Sequence, residues 1–150
     1  MRTSIAFLAA ITCLAAYARP ILTVTCSEPN GPRIDFHGGK YEDKQDGFSG
    51  VRPTFIFNDD KPQHATVIFG PTASAKDMGY KDTGAFDAVV LVRNSDQITL
   101  IASTGTHIAQ MYTLYPKKGI GYFTLHKHLP FQDGVASTAT LLSKCEFLPK

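Results

Sequence analysis

His126 and His128 stand two residues apart near the end of the run from Lys118 to His128. On an extended strand residues i and i+2 face the same side, so both imidazoles point one way. Two imidazoles on one face are the start of a Zn or Cu site. A third ligand would have to come from His37, His64, His107 or a carboxylate, and no spacing in the chain supplies it. The plainer reading makes Tyr122, Thr124, His126 and His128 the solvated face of a strand whose other face carries Phe123, Leu125 and Leu129.

Carboxylates come next. Asp59-Asp60, with Asp35, Glu42 and Asp43, could serve acid–base chemistry on a sugar, which needs two carboxyl groups held about 5–10 Å apart. Asp59 and Asp60 fall in a predicted turn, where such side chains bond their own backbone. They do not form an Asp-x-Asp-x-Asp-Gly calcium loop. There is no Gly-x-Ser-x-Gly elbow, since Phe48-Ser49-Gly50 lacks the first glycine. Gly38-Gly39 is not a phosphate loop, because no Gly-Lys-Ser/Thr follows it. Aromatic residues are the remaining candidates. Tyr41 and Phe48 are expected in one loop, Tyr80 and Phe86 in a second, and Phe131 in a third. Exposed aromatic rings can stack on sugars or anchor a protein interface, or they can simply cap a core.

The elements that would position these residues begin with a leader. Met1 to Ser4 carries Arg2, Ile5 to Ala16 is apolar, and Ala16-Tyr17-Ala18 is a small-x-small cleavage pattern. Residues 1–18 therefore read as a signal peptide and residues 19–150 as a single secreted domain, which predicts an extracellular location. The apolar run is too short for a membrane span, which takes about 20 residues, and no later run is long enough. Cys13 leaves with the leader, so Cys26 and Cys145 are expected to form a disulfide. The net charge of +2 falls by one when Arg2 is removed. So balanced a charge favours neither nucleic acid nor an anionic membrane as partner. None of Asn30, Asn58 and Asn94 lies in a glycosylation sequon.

Short β-branched and alternating runs recur along the chain, each bounded by turn residues. Candidate strands are Ile21–Thr25, Arg33–Phe36, Pro53–Phe57, His64–Phe69, Asp87–Val92, Gln97–Ala102, Ile108–Tyr115, Ile120–His128 and Ala136–Phe147. Lys40–Arg52 and Gly70–Phe86 read as long loops, the second with at most one helical turn at Ser74–Met78. The continuous run Ala88–Val92 suggests a strand covered on both faces. The pattern predicts an all-β fold: an antiparallel β-sandwich or flattened barrel of about eight or nine short strands, closed by one disulfide. The chain has no Trp.

The run Met111-Tyr-Thr-Leu-Tyr-Pro-Lys-Lys-Gly-Ile-Gly-Tyr-Phe123 is similar to small secreted proteins of filamentous fungi that carry no assigned function. The resemblance extends from about Cys26 to Cys145. It implies secretion and a one-domain body, and it carries over no active site.

The residues thus favour a secreted binding or interaction module, with no cofactor, contacting an extracellular glycan or a protein surface through Tyr41, Phe48, Tyr80 and Phe131. Loops are where a strand-rich scaffold places binding residues. The rival is a small extracellular enzyme, metal-assisted through Zn or Cu or a carbohydrate hydrolase, centred on His126 and His128.

Overall fold

The computed structural model describes residues 21–70, 84–104, 108–129 and 134–149. The expected leader and its expected cleavage point, the helical turn expected at Ser74–Met78, Tyr80, His107 and Phe131 lie outside those residues. The described residues form ten strands: β1 (Ile21–Cys26), β2 (Asn30–His37), β3 (Lys40–Gly47), β4 (Thr54–Asn58), β5 (His64–Ile68), β6 (Ala85–Arg93), β7 (Ile98–Ser103), β8 (Ile108–Tyr115), β9 (Ile120–Leu129) and β10 (Val135–Pro149). A 3-10 turn, Pro116–Lys118, joins β8 to β9.

Every pairing is antiparallel. Strands β4 to β10 follow one another as a meander, and β1 pairs with both β4 and β10, so eight strands close into a barrel. An eight-stranded barrel is just wide enough for its own side chains to fill. Alternation selects which ones. In β8, Gln110, Tyr112 and Leu114 are buried while Met111 faces out. Phe55 from β4, Tyr112 from β8 and Phe123 from β9 meet in the middle with ring centroids 5.2, 5.9 and 5.5 Å apart. Each such ring buried contributes on the order of 2–3 kcal/mol of transfer free energy.

Strand β10 is long enough to have two neighbours along one edge. Cys145 to Pro149 pair with β1, and Ala136 to Leu142 pair with β2. The chain passes from β1 to β2 across Ser27–Pro29 and the sheet forks there. Cys26 and Cys145, opposite each other in register, are joined by a disulfide at the fork. Beside it the buried Ser143 hydroxyl donates to the carbonyl of Ser27 at 2.6 Å, and the Ser27 amide donates to the carbonyl of Lys144 at 2.8 Å. Gly121 makes the room: a Cβ there would lie 2.8 Å from Leu114 Cδ2 and 3.0 Å from Cys145 Sγ. β2 and β3 leave the barrel as a two-stranded wing. Residues 48–53 return to β4 through the fork, tied by Phe48 N–H to the Pro29 carbonyl at 3.0 Å and Cys26 N–H to the Pro53 carbonyl at 2.8 Å.

The two ends of the barrel differ. At one end short turns close β4–β5, β6–β7 and β8–β9. Asn58 and Asn94 accept from backbone N–H groups two residues on, as turn-forming Asn does. Arg93 lies over the buried Phe57 ring, 5.3 Å from its centroid, and pairs with Asp59 at 2.9 Å. At the other end Phe48 arrives from the fork, and β5–β6, β7–β8 and β9–β10 are connected.

Two sequence expectations need correction. Lys40–Arg52 is not one long loop. Its first eight residues are β3, an edge strand, and their charged sequence hides it because neither face is apolar. The run Ala88–Val92 is not covered on both faces. Ala88 is buried, but Val89 is 47% and Leu91 55% exposed, because they point to the outer surface of the barrel, where no described element lies over β6.

The Cys26–Cys145 bond closes a loop of order 100 residues, for which the chain-entropy model gives about 4–5 kcal/mol. Cys26→Ser is therefore expected to lower the melting temperature by roughly 10 °C or more. Equal melting curves for variant and wild type under oxidising conditions would show the clamp to be idle.

Candidate functional site

The end of the barrel that Phe48 reaches holds a cavity of about 430 Å³. Among the described residues its apolar wall is Phe48, Phe69, Phe86, Ile108 and Leu125, and its polar groups are Ser103, Thr104, Gln110 and Lys127. That volume is within the range of small-molecule pockets, which are mostly apolar with a few fixed polar groups.

Each wall residue is held by an element already described. Phe48 is fixed by the fork and meets Phe69 edge-on at 4.9 Å. Phe69 continues β5 beyond its last ladder pair: its N–H donates to the Gly84 carbonyl at 3.1 Å. Gly84 has φ +53°, and a Cβ there would meet the Phe69 carbonyl at 2.3 Å, so the strand closes tightly only over glycine. Leu125 and Lys127 are successive inward positions of β9, and Ile108 and Gln110 of β8.

The polar groups form a chain running down into the core. The Tyr112 hydroxyl donates to Gln110 Oε1, and Gln110 Nε2 donates to Thr104 Oγ1 at 2.7 Å. Burial pushes the Tyr112 hydroxyl well above its ordinary value, so it stays a neutral donor and fixes the amide of Gln110. Lys127 is half-buried, with its ammonium 5.5 Å from the Phe48 ring centroid.

The wing carries the second surface. Its outer face, continuous with the barrel exterior, sets Phe36 against Tyr41 with ring centroids 5.0 Å apart. Tyr41 is 78% exposed. Ile34, Phe36, Tyr41, His126 and Ala136 line a shallow hollow there. The opposite face holds an ion network: Arg33 bridges Asp35 at 2.9 Å and Asp46 at 3.3 Å, and Lys44 bridges Asp35 at 3.1 Å and Glu42 at 2.8 Å. Burial of the Asp35 carboxyl raises its pKa, but the hydrogen bonds and charges of Lys44 and Arg33 outweigh that and leave it below its ordinary value.

The other expected site residues are distributed as follows. Tyr41 lies on strand β3 and not in a loop, and it faces away from the cavity that Phe48 enters. Phe86 belongs to β6. His126 and His128 do share the outer face of β9, opposite Thr138 and Ala136 of β10. No group of three or more His, Cys, Asp or Glu that could hold a metal comes together among the described residues. Asp59 is engaged with Arg93, and Asp35 and Glu42 belong to the wing network. A wider groove of about 600 Å³ lies on the outer face along Ile56, His64, Thr66 and Asp87, running up to Ile21 where the described chain begins.

Gln110, Thr104, Lys127 and Phe69 are not among the sequence candidates. A signal was available for two of them. Gln110 occupies the same alternation phase as Ile108, Tyr112 and Leu114, and Lys127 the same phase as Phe123 and Leu125. A polar residue in the buried phase near a strand end points into a barrel mouth.

No protein-family model matches the chain, and no curated protein or solved structure matches it significantly.

The wing network has a pH signature. Asp35 titrates below its ordinary value of 3.8 when folded, so its stabilising contribution is present above that value and is lost as pH falls through the folded one. Asp35→Asn is expected to lower the melting temperature at pH 7 by about 5 °C. Its melting temperature should then fall less steeply than that of wild type between pH 4 and pH 2. Parallel acid profiles for the two proteins would contradict this.

Proposed function

We propose that this chain is an extracellular binding module whose ligand sits in the mouth of the barrel. The observation that carries the reading is the cavity at one end of the barrel, walled among the described residues by aromatic and aliphatic side chains with the Gln110 amide fixed beside it. Secretion is supported by the leader pattern at 1–18, by the Cys26–Cys145 bond, which is typical of oxidising compartments, and by the resemblance to secreted fungal proteins. The ligand that suits such a wall is a small molecule with an apolar body. Its gain is area removed from water, about 25 cal/mol per Å² before the costs of association.

One observation favours a second reading. The Phe36–Tyr41 pair presents an exposed aromatic surface on a wing stiffened by its ion network, a platform for a glycan or for a protein surface. The hydrolase or metal-enzyme reading centred on His126 and His128 finds no third ligand among the described residues.

The neutral fluorophore N-phenyl-1-naphthylamine separates the two surfaces. Saturable binding to the mouth is expected, weakened about tenfold in Phe86→Ala, which corresponds to about 1.4 kcal/mol, and unaltered in Tyr41→Ala. Loss of binding in Tyr41→Ala alone would move the site to the wing. Absence of saturable binding to the wild type would contradict the mouth as a small-molecule site.

A further inference from the structure

We infer that the ligand of the barrel mouth carries a single anionic head, a carboxylate or similar acid on an apolar body, and that Lys127 receives it. The inference rests on the mouth being the binding site.

Lys127 occupies an inward position. The inward series of β9 is Gly121, Phe123, Leu125 and Lys127, of which the first three are buried. An ammonium at the edge of an apolar cavity is costly unless it reaches water or a partner. Among the described residues no carboxylate pairs with it, and the ring of Phe48 is the surface it lies over. Among the described residues, the acids on the same side of the sheet across β10 belong to the wing, and they are already engaged. Asp35 is held by Arg33 and Lys44, Asp46 by Arg33, and Glu42 by Lys44. Ser137 of β10 stands opposite Lys127 on one side and Asp35 on the other, so a whole strand separates the two charges. Two strand spacings are roughly 9–10 Å.

The wing also limits what the mouth can attract. On that face Arg33, Lys40 and Lys44 stand against Asp35, Glu42 and Asp46, so the wing adds no net charge beside Lys127. Among the described residues the mouth is therefore no basic patch that would draw polyanions from a distance. Selection has to come from direct contact between one anion and one ammonium. Among the described residues the other polar groups of the wall are few and already hydrogen-bonded once each: Gln110 Oε1 accepts from Tyr112, Thr104 accepts from Gln110, and Ser103 donates to the Ile108 carbonyl. An amphiphilic monocarboxylate matches these groups better than a sugar does.

The test compares decanoate with decanol, two probes of one chain length differing in the head, as displacers of N-phenyl-1-naphthylamine from the disulfide-bonded chain at pH 7. Wild type is expected to bind decanoate about tenfold more tightly than decanol, as for one charge-assisted hydrogen bond. In Lys127→Gln that ratio falls to about one, and Lys127→Arg keeps most of it. Lys144→Gln makes the same charge change at an exposed site outside the cavity and keeps the full ratio. A ratio near one in wild type, or a tenfold ratio that survives in Lys127→Gln, overturns the anionic head and leaves the mouth as the site. If the neutral probe itself fails to bind, the mouth reading falls instead.

Discussion

The structure depends on one long strand having two partners along a single edge. β10 gives its C-terminal half to β1, which closes the barrel, and its N-terminal half to β2, which leaves it. Without the first pairing the meander from β4 to β10 would be an open sheet with two unsatisfied edges and half a core. The disulfide sits where the two roles separate, between residues facing each other in register, and Ser27 and Ser143 tie the backbone beside it. A covalent clamp at a fork stabilises most where the non-covalent ladder is weakest, because the sheet can otherwise unzip from either side.

The fork also shapes the candidate site. The chain must return from the wing to the barrel, and it does so through the gap between β1 and β2. Val51 and Pro53 are buried there, and Phe48 is delivered to the end that holds the cavity. The same excursion that makes the wing therefore supplies one wall of the cavity. The opposite end needs no such device, since its connections are short turns held by Asn58 and Asn94 and covered by Arg93. Lys127 gains its position from the same phase rule that buries Phe123 and Leu125, carried one step past the core.

Much of the fold was legible in the sequence. The β4–β5 and β6–β7 hairpins show apolar alternation on both sides of Asn/Asp turns, and both signals are local. The cysteine pairing followed from having two cysteines once the leader is set aside. β3 was not legible, because Lys40 to Gly47 has charge on both faces and is held by pairing with β2 and by ion pairs that no periodicity records. The outward apolar residues of β6 misled in the opposite direction: Val89 and Leu91 read as core although they face solvent. Of the site, Phe48 was visible only as an aromatic in a loop. That it faces the cavity while Tyr41 faces the other way depends on β3 being a strand and on where the sheet forks, and both are non-local. Gln110 and Lys127 were not singled out, although each stands in the buried phase of its strand.

The most direct measurement is a map of backbone amide shifts. The isotopically labelled, disulfide-bonded chain would be titrated with N-phenyl-1-naphthylamine and followed by two-dimensional NMR. A site in the mouth is expected to move the amides of Phe48, Phe69, Phe86, Gln110 and Lys127 saturably and together, leaving those of Phe36, Tyr41 and Arg93 in place. Shifts concentrated on Ile34, Phe36 and Tyr41, or scattered over the exposed apolar residues Val89, Leu91 and Ile101, would contradict a binding site in the mouth of the barrel.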